Sequence, residues 1–85
     1  MENQIIYLKS EQYGNQVSAY NKKNLSRVNI YKGSDVTIEI YDDEETFDWN
    51  VKRDMSANYK LSDKKTFDEV AKKFTETYNN LIKEL

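Results

Sequence analysis

From Thr66 onward the apolar residues fall at Phe67, Val70, Ala71, Phe74, Tyr78, Leu81, Ile82 and Leu85. That spacing of three and four puts them on one face of an α-helix spanning about residues 66–84. Thr66-Phe67-Asp68-Glu69 reads as its capping box, and Asp68–Lys72 and Glu69–Lys73 are acid-first pairs one turn apart. Upstream the period shortens to two. Val28 and Ile30 alternate with Arg27, Asn29 and Tyr31, and Val36, Ile38 and Ile40 with Thr37, Glu39 and Tyr41. Phe47, Trp49 and Val51 alternate with Asp48, Asn50 and Lys52. These read as three half-buried strands, joined by a turn at Gly33-Ser34 and a second hairpin turn at Asp42–Glu45. Ile5–Leu8 predicts a further strand, which Tyr13-Gly14-Asn15 turns into another around Val17 and Tyr20.

The predicted fold is therefore α+β: a four- or five-stranded antiparallel meander within about residues 3–53, covered on one face by a single C-terminal amphipathic helix. Val28, Ile30, Val36, Ile38, Ile40, Phe47, Trp49 and Val51 are its expected core. The opposite sheet face, carrying Arg27, Asn29, Tyr31, Thr37, Glu39, Tyr41, Asp48, Asn50 and Lys52, is expected to meet solvent or a partner. At 85 residues, with no proline, repeat or linker, the chain has the size of one domain.

Composition narrows the chemistry. The chain contains no His and no Cys, which removes the usual nucleophilic triads, thiolate zinc sites and disulfides. Gly14 and Gly33 stand alone, so no phosphate-cradling loop is present. The acids are contiguous, unlike a calcium loop, and position six counted from Asp42 is Phe47 where such a loop needs Gly. A non-enzymatic protein without metal or cofactor is expected. The acidic, short apolar start MENQIIYLKS lacks the features of a secretory signal, and cytoplasmic residence is the expectation. Residues favoured by AT-rich codons point to a low-GC bacterium, a phage or a mobile element.

Charge is more informative than its sum of −2. Residues 1–34 hold five basic and two acidic side chains, whereas residues 35–50 hold seven acids and no base. Asp35, Glu39, Asp42, Asp43, Glu44, Glu45 and Asp48 would form an anionic ridge suited to the basic cleft of a nucleic-acid-handling protein. A solvated hairpin tip explains the same acids without a partner. A second surface reads the other way: Arg27, Tyr31, Lys32, Tyr41 and Lys52 combine aromatics with bases, as single-stranded nucleic-acid binders do. For these tyrosines the plain explanation is strand propensity.

Four strands and a helix over about Leu25 to Leu85, with Lys60-Leu61-Ser62 leading into the helix, resemble the positive-cofactor type of transcriptional coactivator. That resemblance implies single-stranded DNA binding. In size, acidity and lack of catalytic groups the chain is also similar to small phage-encoded inhibitors of bacterial defence such as anti-CRISPR proteins, several of which mimic nucleic acid. The leading expectation is an inhibitor that docks its acidic hairpin on a basic protein. The alternatives are the nucleic-acid-binding module and a structural or assembly component of a phage or mobile element. An unpaired edge strand would admit a two-fold homodimer.

Overall fold

The computed structural model describes residues 4–85; the first expected strand position, residue 3, lies outside them. The elements are β1 Ile5–Ser10, β2 Val17–Asn21, β3 Ser26–Tyr31, β4 Asp35–Ile40, α1 Glu44–Ser56, β5 Tyr59–Leu61 and α2 Lys64–Lys83. The five strands form one antiparallel sheet in the order β4-β3-β2-β1-β5. The α+β class, the antiparallel sheet and the long C-terminal helix agree with the sequence reading.

The difference lies in residues 44–56, which are helical rather than the turn and last strand of a meander. Topology explains why. The chain leaves β4 at one edge and must reach β5 at the other, four strand spacings or roughly 19 Å away. A 13-residue helix spans about the same distance. Phe47, Asn50, Val51 and Asp54 are its buried residues, at the i, i+3, i+4, i+7 positions of one face. Two of the four are polar, so the apolar residues alone mimic strand alternation. The acids of Asp42–Glu45 take the helix start instead of a hairpin tip: Asp43 is the N-cap, and its carboxylate accepts the Thr46 amide at 2.7 Å.

Two further boundaries shift. The N-cap of α2 is Asp63, which accepts the Thr66 amide at 2.8 Å, so Thr66 lies inside the helix and does not open it. The β3–β4 turn centres on Lys32 and Gly33, with φ of 53° and 75°, rather than on Gly33-Ser34. The Ser34 amide closes it on the Tyr31 carbonyl at 3.2 Å.

Strand register sorts the side chains between two covered faces. Ile6, Leu8, Ser18, Tyr20, Arg27, Asn29, Thr37 and Glu39 share the face crossed by α1. Tyr7, Val17, Ala19, Val28, Ile30, Val36, Ile38 and Ile40 share the face on which α2 packs, against β1 and β2. The central cluster lies under α1: Leu8, Tyr20, Phe47 and Val51, with Ile6, Leu25, Tyr41 and Tyr59 packed around it.

Of the expected core, Ile30, Phe47 and Val51 are buried and Val28 is half-buried. Val36, Ile38, Ile40 and Trp49 are exposed. Strand β4 and helix α1 account for this: β4 is an edge that α2 leaves uncovered, and the helical period turns Trp49 away from Phe47. Conversely Arg27 and Asn29, expected on an open face, are buried beneath α1, and Asn50 is buried on the inner face of α1 itself.

Candidate functional site

The outer face of α1 gathers most of the predicted anionic residues. Asp42 and Asp43 precede the helix, and Glu44 and Glu45 occupy its first turn. There their charge complements the positive end of the helix dipole, so the acids support the fold locally. The Thr46 amide holds the Asp43 carboxyl below its ordinary range. Asp48 follows one turn on and stands 3.7 Å from the Lys22 ammonium, both side chains being about half-exposed. Glu44, Glu45 and Asp48 line a shallow depression with Trp49 and Lys52.

Trp49 is the feature that sequence periodicity missed. It is 61% exposed, and the Arg53 guanidinium lies over its ring at 5.5 Å from the centroid. The Asp43 cap and first-turn acids are the sequence signal that would have revealed a helix start, and with it the outward direction of Trp49.

The other two predicted acids are elsewhere. Asp35 is at the opposite end of β4 from Asp42. Glu39 turns to the α1 face, where it accepts the Tyr41 hydroxyl and meets Arg27 at 3.4 Å. The Tyr41 hydrogen bond, followed by the Arg27 charge, lowers the Glu39 pKa against the effect of its partial burial. The ridge thus reduces to five acids around the start of α1.

The alternative nucleic-acid set is not brought together. Arg27 is in the interior, Tyr41 packs 6.0 Å from Phe47 and 6.4 Å from Tyr20 between ring centroids, and Lys52 is on the far side of α1. Only Tyr31 and Lys32 remain side by side, at the β3–β4 turn. There the Lys32 ammonium lies 4.4 Å from the Tyr13 ring and 5.2 Å from that of Tyr31. The element order, with α1 and β5 inserted before the last helix, also departs from the coactivator-like order of four strands and one helix.

Beneath α1 is a buried polar network. The Tyr20 hydroxyl donates to Asp54 Oδ2 at 2.6 Å, and Arg27 Nη2 reaches the same oxygen at 3.2 Å. Arg27 Nε donates to Ser18 Oγ at 2.9 Å. Alongside, the Tyr59 hydroxyl donates to Asn29 Oδ1 at 2.9 Å and accepts from Gln16 Nε2 at 3.0 Å. Burial, reinforced by the Asp54 hydrogen bond, pushes the Tyr20 pKa far up. Burial and Glu39 push Tyr41 up to about 12. Burial acts to lower the Arg27 pKa, but Tyr20, Asp54 and Glu39 together raise it. These groups are locked to one another under a helix. Their arrangement ties α1 to the sheet.

Among the described residues no group of three acidic side chains converges as a metal site, and no helix is long and apolar enough to cross a membrane. No protein-family model matches the chain, and neither a curated protein nor a solved structure shows significant similarity to it.

Proposed function

We propose that this is a non-enzymatic binding protein that docks the acidic, Trp49-centred face of α1 on a basic surface of a nucleic-acid-handling protein. The observation that carries the reading is the exposure of Trp49. The helix cap and dipole account for the acids, but the fold gains little from a large aromatic ring held in solvent. Trp and Arg are the residue types that most often anchor protein interfaces, and here Trp49 and Arg53 stand together on one face. The acids around them would steer a cationic partner into place. As an inhibitor, such a face would occupy the surface on which the partner holds nucleic acid; the AT-rich composition fits a phage or mobile-element source.

The test is capture from a low-GC bacterial lysate by the wild type, by Trp49→Ala and by a Glu44→Gln/Glu45→Gln/Asp48→Asn variant. A nucleic-acid-handling protein is expected to be retained by the wild type, with its retention weakened at least tenfold in either variant. Added oligonucleotide is also expected to displace that protein. Equal capture by all three proteins would remove α1 as the docking face. Lys32 between Tyr13 and Tyr31 favours a second reading, direct stacking of single-stranded nucleic acid. Salt-sensitive oligothymidine binding that Tyr31→Ala abolishes would decide for it.

A further inference from the structure

The helix α2 is longer than the surface it covers. Its half-buried residues end at Phe74, and every residue from Thr75 onward is exposed. The apolar stripe nevertheless continues through Tyr78, Leu81 and Ile82, in the same register as Phe67, Val70 and Phe74. An isolated stretch of helix this short is marginal in water, and among the described residues its stripe has nothing beneath it.

The sheet has the converse deficit. On the α2 face, β4 presents Val36, Ile38 and Ile40, the last two 67% and 75% exposed. Its charged residues, Asp35 and Glu39, alternate to the other face. One part of the molecule is therefore a helical stripe without a sheet, and another is a sheet face without a helix.

We propose that the cover is a second copy of this chain. The α2 tail of each protomer lies across the β4 side of its partner's sheet, and a two-fold axis makes the exchange reciprocal. Three observations choose this occupant. The two bare surfaces are of complementary types, so each copy carries what the other lacks. The six residues Val36, Ile38, Ile40, Tyr78, Leu81 and Ile82 expose roughly 650 Å² per chain, taking about 160–230 Å² for a fully exposed apolar side chain. A stable interface takes about 600–1,000 Å² from each partner. Finally, β4 places no charged side chain on this face, so closure desolvates no charge there. The helix α1 is on the opposite side of the sheet, and both Trp49 faces remain outside the dimer.

Sedimentation equilibrium tests this on the whole chain. The wild type is expected at twice the 10.1 kDa chain mass. Ile38→Asp and Leu81→Lys, both at exposed positions, are each expected to keep the circular dichroism of a folded protein and to weaken self-association at least tenfold. Mixing the two variants is expected to restore a heterodimer, because one reciprocal contact is then wild type and the other pairs Asp with Lys. Trp49→Ala is expected to leave the dimer intact. A wild type that stays monomeric up to about 1 mM, a self-association weaker than any stable interface, would overturn the proposal. So would a dimer that both variants leave unchanged, or a monomer that gains helicity on anionic phospholipid vesicles, which would assign the face to a lipid surface.

Discussion

Phe47→Ala is expected to cost about 4 kcal/mol of folding stability, within the range for emptying a buried aromatic site. Phe47 is fully buried, and its ring meets Tyr20 edge-on at 5.5 Å and Tyr41 at 6.0 Å. It is the main apolar anchor of α1, with Val51 one turn behind it. A domain of this length has a total stability of roughly 4–13 kcal/mol, so the loss takes from about a third to nearly all of it. Trp49→Ala, two residues away, is expected to cost less than about 1 kcal/mol, because the side chain is 61% exposed and its contact with Arg53 is at the surface. Urea denaturation of the two variants checks the contrast. Comparable losses would mean that residues 47–51 are not helical.

Arg27→Ala is expected to cost about 3 kcal/mol, most of it through what the substitution leaves behind. Arg27 and Asp54 are both nearly buried, 3.2 Å apart, and Arg27 also bonds Ser18 and meets Glu39. Without the guanidinium, the Asp54 carboxylate keeps the Tyr20 hydroxyl and the half-exposed Arg53 at 3.3 Å, but its deepest countercharge is gone. Arg53 moderates the loss, which is why the expectation sits at the low end for a broken buried pair. Arg27→Ala/Asp54→Asn is expected to recover part of the stability, because the unpaired charge is then removed as well. Thermal unfolding of the single and double variants measures the coupling. A single variant within about 0.5 kcal/mol of wild type would show that the network does not hold α1 down.

The strands β3 and β4 and the stripe of α2 are legible because apolar residues alone trace their periods, whereas β1 shows as a continuous apolar run and β2 through the turn that precedes it. In β3 and β4 the alternation of Val28, Ile30, Val36, Ile38 and Ile40 identifies strands correctly, whichever face is covered. Which face α1 would cover was not legible. Its contact with the sheet is half polar, made by Asn50 and Asp54 as well as Phe47 and Val51, and hydrophobicity cannot mark a buried Asp whose charge is met by an Arg from another strand. The same substitution of polar for apolar packing hid Arg27 and Asn29 as interior residues. For the candidate site, the acids are visible as a run of charge, but the strand-like alternation of Phe47, Trp49 and Val51 masks the helix start that they form. A period of two places Trp49 in the core, whereas the period of 3.6 that the chain adopts turns it outward.

Trp49 is the only tryptophan in the chain, so its fluorescence tests directly whether α1 presents an anionic, aromatic face. Native protein is expected to emit at long wavelength, as a solvated indole does, and to be readily quenched by acrylamide. Glu44, Glu45 and Asp48 outnumber Lys52 and Arg53 beside the ring, so the caesium cation should quench it more efficiently than iodide at low salt, and the advantage should shrink as salt screens the acids. Short-wavelength emission shielded from acrylamide would return Trp49 to the core and contradict the account. More efficient quenching by iodide than by caesium would contradict the charge of the face.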